Sequence, residues 1–173
     1  MKGDIQKSLE IYKEQLSNGF IQTAYIALTK YVAELKGKFP PSYSTSNIGF
    51  GYLDYTYFYF TNDYVKNKSL KFALVLNHEK MQFELWLCAR TANIQKQYWN
   101  LLKDSRWNKN VEVMPKYYVL EVVIETQIDF NAKEKMTSNI IDNAVSSALE
   151  IENYLQTLDC KIQVCRQCSK EIS

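Results

Sequence analysis

The sequence predicts an α+β protein. Apolar residues recur every three to four positions before residue 37 and again after residue 131, but every second position between residues 50 and 88. Composition agrees with the period. Thirteen Tyr and eight Phe in 173 residues suit a pleated, half-buried surface better than a helix bundle. The expected order is α-α-β-β-β-α-β-α: an N-terminal helical hairpin, a mainly antiparallel four-stranded sheet and a long C-terminal helix. Residues 1–158 are expected to form one domain, and 159–173 a cysteine-containing tail.

The first helix starts after Asp4, whose carboxylate can accept from the free amides of the first turn, and it carries Ile5, Leu9, Tyr12 and Leu16 on one stripe. Asn18-Gly19 ends it, because both residues tolerate the left-handed conformation. The second helix, 20–36, aligns Ile21, Ala24, Leu28, Tyr31 or Val32, and Leu35. So short a connection predicts antiparallel packing of the two. Gly37 and Pro40-Pro41 close the unit, and the Ser/Thr/Asn run over 42–47 reads as a loop.

Residues 50–61 predict one long aromatic strand, 70–76 a second and 81–88 a third, the last two joined by the hairpin loop Asn77-His78-Glu79-Lys80. Phe72, Leu74 and Leu76 share a face, as do Phe83, Leu85 and Leu87, and these six are assigned to the core. The opposite face carries Ala73, Val75, Gln82, Glu84 and Trp86. A third helix over 93–104 turns Ile94, Tyr98, Leu101 and Leu102 inward. The strand 117–128 alternates, with Tyr118, Leu120, Val122, Ile124 and Ile128 against Glu121, Val123, Glu125 and Gln127. The closing helix, 132–158, repeats Met136, Ile141, Ala144, Ala148, Ile151, Leu155 and Leu158.

Lys+Arg 21 against Asp+Glu 19 leave a net charge of +2, which is no basic footprint for a phosphate backbone, so nucleic acid is not an expected partner. The charged start MKGDIQKSLEIYKEQL has no apolar h-region, and no stretch reaches about 18 apolar residues. The expectation is a cytoplasmic chain with no membrane association and with its four cysteines reduced.

Three constellations could carry chemistry. Asp54, Glu84, Glu121 and Glu125 could share one sheet face and hold a hard divalent cation through oxygen, although acids on a wet face also pair readily with lysines such as Lys71. Cys160, Cys165 and Cys168 form C-x4-C-x2-C. Three thiolates need a fourth ligand, from Cys88, His78 or a second chain, so free thiols on the tail are the plainer reading. His78 is the single histidine; it sits in a hairpin loop beside Glu79, where an exposed turn residue is commoner than a catalytic base. The tyrosines of 52–60 lie on both faces of their strand. Tyr55, Tyr57 and Tyr59, with Trp86, are candidate binding residues, either as a stacking platform or as a contact with a second copy.

The segments GYLDYTYFYFT and FELWLCAR, the Tyr98-Trp99 helix and the IYKEQL helix resemble a small bacterial cytosolic family classed as a domain of unknown function. That resemblance implies a single bacterial domain and assigns no activity. The stretch from the second helix to the fourth strand also resembles, in element order, the core of restriction-endonuclease-like proteins. This resemblance places a metal-binding acid at Glu84 but wants a lysine two residues later, where Trp86 stands. The leading expectation is a non-catalytic bacterial binding protein, homodimeric through its aromatic sheet face, with no cofactor. The alternative is a nuclease or phosphodiesterase using a divalent metal on the acidic face.

Overall fold

The computed structural model describes residues 4–170, with side chains placed through Cys160. It divides into two compact units, one ending at Lys38 and one beginning at Phe39. The fold is α+β, with N-terminal helices, an antiparallel sheet and a long C-terminal helix.

In the first unit, α1 (Ile5–Ser17) is capped by Asp4, which accepts from the Gln6 amide at 3.1 Å and the Lys7 amide at 3.5 Å. Gly19, at φ 73°, supplies the left-handed residue that starts α2 (Phe20–Gly37). Leu28, Tyr31, Val32 and Leu35 of α2 are buried. The stripe Ile5, Leu9 and Tyr12 of α1 is not: α1 has no buried residue. An apolar stripe makes a helix amphipathic but does not by itself supply the surface that covers it.

The second unit is built on β1 (Ser44–Phe50), β2 (Tyr55–Thr61), β3 (Leu70–Asn77), β4 (Gln82–Ala89) and β5 (Leu120–Glu125). The sheet has five strands rather than four, all antiparallel and ordered as in the chain. The run 42–47, expected as a loop, contributes the start of β1. Its polar residues fit because an edge strand is half solvated, and the register shifts between Thr45 and Ile48 where Ser46 Oγ accepts from the Tyr59 amide at 2.9 Å. The expected long strand 50–61 is consequently interrupted: Phe50 closes β1, a turn follows, and β2 carries 55–61. Leu53 at φ 64° makes that turn, and the Gly51 amide donates to the Tyr55 carbonyl at 2.8 Å.

A short helix the periodicity did not predict, α3 (Asp63–Asn67), follows Asn62, whose side chain accepts from the Val65 amide and donates to Glu152 at 2.9 Å. A five-residue helix is too short to show a period; only its cap could betray it. The helix α4 (Ala92–Leu102) buries Trp99 and Leu102, while Leu101 is exposed. The chain from α4 to β5 is held by two amide side chains. Gln95 donates to the carbonyls of Pro115 and Tyr118, and Asn108 to that of Val119.

The core face was read correctly: Phe72, Leu74, Leu76, Phe83, Leu85 and Leu87 are all buried, with Phe60 stacked on Phe72 and Phe39 and Tyr43 set edge-on or tilted against Phe58 and Phe60. A 3-10 turn over Phe130–Ala132 leads into α5 (Lys133–Lys170), which runs past the expected end at 158 and packs on β4 and β5. Its buried stripe is Met136, Ile140, Ala144, Ala148, Ile151 and Leu155. Ile140 takes the place expected for Ile141, because a spacing of four from Met136 keeps the same azimuth.

Candidate functional site: a tyrosine-lined groove

On β2 the side chains alternate. Thr56, Phe58 and Phe60 are fully buried in the core, which turns Tyr55, Tyr57 and Tyr59 to the opposite face. Antiparallel pairing then sets out two rows across that face. Tyr59, Ala73, Trp86 and Glu121 stand side by side, as do Tyr57, Val75, Glu84 and Val123. Ala73, Val75, Trp86 and Cys88 form a second buried cluster, against which Tyr55, Tyr57, Tyr59 and Tyr118 pack half-buried.

Small residues in the middle of β3 and large rings on either side produce a groove. Its cavity measures about 200 Å3, with Ala73, Val75 and Cys88 as floor and tyrosines and Trp86 as walls. Gly49, paired with Tyr57, lets that ring lie close, since a Cβ there would stand 2.5 Å from Tyr57 Cζ. At one end Trp86 and Tyr117 are parallel within 3°, with centroids 6.4 Å apart. Tyr55 crosses them at 71° and 73°, with centroids 5.0 and 6.5 Å away. At the other end Lys71 sets its Nζ 3.2 Å from the Tyr59 ring centroid.

Glu84, fully buried, organises the acidic side. Its Oε1 accepts from Asn77 Nδ2 at 3.0 Å and Gln82 Nε2 at 2.6 Å, and its Oε2 from Trp86 Nε1 at 2.9 Å. Lys80 Nζ lies 3.5 Å from Glu84 and 4.0 Å from Glu121, so the hairpin lysine ties the two acids together. Burial first, and then Glu121, hold the Tyr118 phenol well above its ordinary pKa. Asp54 lines the groove from the β1–β2 turn, its Oδ1 accepting from the Tyr55 amide at 2.8 Å. Burial first, and then Glu84 and Asp54, hold the Tyr55 phenol above its ordinary pKa, with Lys80 opposing. Burial lowers the Lys71 ammonium and pushes the Cys88 thiol up to about 12.

Of the acids named from sequence, Glu84 and Glu121 are brought together and Asp54 stands at the same end of the groove. Glu125 turns its carboxylate onto the following amides of Thr126 and Gln127. His78 is half-buried rather than a solvated turn residue: its Nε2 is 2.8 Å from Thr56 Oγ1, and burial lowers its pKa against the raising effect of Asp54. Among the described residues no group of three or more His, Cys, Asp or Glu could hold a metal ion. Cys160 is exposed, and the side chains of Cys165 and Cys168 lie outside the described residues.

Several groove residues escaped the sequence reading. Tyr118 was assigned to the face of Leu120, but the alternation breaks before the strand: Val119, buried, bonds the Leu87 carbonyl, and Tyr118 tilts onto Trp86. Tyr117 and Cys88 gave no local signal. Lys80 did give one, four residues before Glu84 across the hairpin.

The fold is that of an α+β domain with an aromatic groove on one face of its sheet. The chain belongs to the family described as Domain of unknown function (DUF7000), whose model matches residues 5–155. No curated protein and no solved structure matches it. No helix among the described residues is long and apolar enough to cross a membrane.

Proposed function

We propose that this protein acts by binding, without catalysis, and that the tyrosine-lined groove is its recognition surface, in a bacterial cytoplasm. One observation carries the reading. A cavity of about 200 Å3 combines a buried apolar floor with half-buried aromatic walls, the usual make-up of a small-ligand site. Two polar groups at the groove, Cys88 and Glu84, are held away from chemistry. The Cys88 thiol is held protonated by burial, and Glu84 has three donors and an ammonium on its two oxygens. That saturation also weighs against the endonuclease-like alternative, since a carboxylate with its lone pairs engaged has little left for a metal. Trp86, standing where that fold wants lysine, donates to the very acid a metal would need. The test is a thermal-shift panel of ammonium compounds, sugars and nucleotides, with and without Mg²⁺. A ligand that raises the melting temperature of wild type but not of Ala73→Leu, whose side chain fills the floor, supports the reading. No shift with any compound, or metal-dependent phosphodiester cleavage lost in Glu84→Gln, overturns it.

Self-association is a second reading, favoured by apolar surface outside the groove. On α1, Ile5, Leu9 and Tyr12 are exposed along one stripe, and an uncovered stripe of this kind marks a protein contact. A homodimer joined there would show twice the monomer mass in light scattering and dissociate in Leu9→Lys/Tyr12→Lys. A wild-type monomer at high concentration would remove it.

A further inference from the structure

We propose that a polar pocket beyond the Tyr59 end of the sheet face binds a small polyol phosphate, such as a phosphorylated sugar, through Lys66, Lys71 and Arg90. This pocket and the tyrosine-lined groove share no lining residue, so the assignment stands or falls separately from that of the groove.

Strand alternation builds the pocket. Thr61 follows Tyr59 on β2, Lys71 precedes Ala73 on β3, and Arg90 follows Cys88 just past β4, so the face that is aromatic in the groove turns polar here. Ser44 pairs with Thr61 across β1 and β2, and Lys66 comes from α3. All five line one cavity of about 570 Å3, which falls within the size range of small-molecule sites.

Charge names the ligand. Among the described residues, Lys66, Lys71 and Arg90 have no carboxylate within ion-pair distance. Neighbouring acids are committed elsewhere, Asp159 to Lys68 and Glu152 to the Asn62 side-chain amide. Asp63 is the one carboxylate in the lining, so three cations against one acid leave a charge of +2. Burial first lowers the Lys71 pKa, against Cys88, and Arg90 lowers it further, so an anion here relieves a cost the fold already carries. A phosphate monoester brings about −1.5 to −2 near neutral pH, and lysine and arginine are its strong donors. A carboxylate brings half as much and would leave a cation unmatched. The rest of the lining selects what carries the phosphate. Among the described residues the Ser44 and Thr61 hydroxyls have no hydrogen-bond partner, and with the Asp63 carboxylate they can engage the hydroxyls of a polyol.

The experiment titrates ribose 5-phosphate, glucose 6-phosphate and glycerol 3-phosphate into the full chain by calorimetry, with ribose, inorganic phosphate and phosphoserine as comparisons. Saturable binding of at least one polyol phosphate is expected, with ribose and inorganic phosphate each weaker by about tenfold or more. Lys66→Gln and Arg90→Gln, both at exposed positions, should each weaken it by about tenfold and leave the melting temperature of the free chain unchanged. Asp63→Asn should tighten inorganic phosphate, because it removes the one acid from the lining. No saturation with any of the three esters, or binding unchanged in both cation variants, would overturn the site. Inorganic phosphate as tight as the best ester would show that the polyol is not read, and phosphoserine tighter than all three would assign the pocket to a phosphoprotein; either overturns the proposal. The groove reading is untouched by these outcomes, since Ala73→Leu tests it separately.

Discussion

Trp86 donates its indole N–H to the carboxylate of Glu84, two residues back on the same face of β4, at 2.9 Å. A fully buried acid and a nearly buried indole thereby satisfy each other, and Asn77 and Gln82, paired with each other across the β3–β4 hairpin, complete the shell. The acid therefore serves to fix the orientation of the ring that forms a wall of the groove.

Removing that acid should cost stability. Glu84→Ala leaves the Trp86, Asn77 and Gln82 donors without their acceptor, and we expect a loss of roughly 3 kcal/mol in urea unfolding. Glu84→Gln, which keeps an acceptor, should lose less. Equal effects of the two would show that the network does not hold the fold.

Glu152 sets a pH dependence. Burial raises its pKa against the hydrogen bond from Asn62. The folded chain therefore keeps a proton that the unfolded chain has released, and stability falls as pH rises from the ordinary carboxylate range through the raised value. Glu152→Gln should be more stable than wild type near about pH 7, and the gain should vanish near about pH 3, where both carry no charge. A gain that persists in acid would contradict this origin.

The thiols should separate by reactivity. With its pKa pushed up to about 12 by burial, Cys88 has almost no thiolate at about pH 8, whereas Cys160 is exposed. In a variant with Cys165 and Cys168 changed to Ser, iodoacetamide should modify one cysteine quickly and Cys88 only after unfolding. Rapid labelling of both would mean that the groove floor opens.

Gly49 should control one wall. A Cβ there would press on the far end of the Tyr57 ring, which can swing away, so Gly49→Ala should change stability by only about 1 kcal/mol while moving Tyr57. Shifted Tyr57 ring resonances with an unchanged fold are the expected readout; unshifted ones would mean the strands separate instead.

The sequence by itself determined the α+β class and the core face of the central hairpin, because Phe72, Leu74, Leu76, Phe83, Leu85 and Leu87 alternate without a break and alternation assigns faces directly. It also singled out Glu84, Trp86, Tyr55, Tyr57 and Tyr59. What these residues do was decided by strand pairing, which no local period encodes. A polar edge strand was recruited from a Ser/Thr/Asn run because β2 offered it an unpaired ladder. Register placed Trp86 beside Ala73 and Glu121, making a wall next to a low floor. Tyr117, far along the chain and outside any strand, reached Trp86 only because Gln95 and Asn108 hold the segment before β5. A groove is a relation among distant residues, so its parts are legible in the sequence while its walls meet only in the tertiary structure.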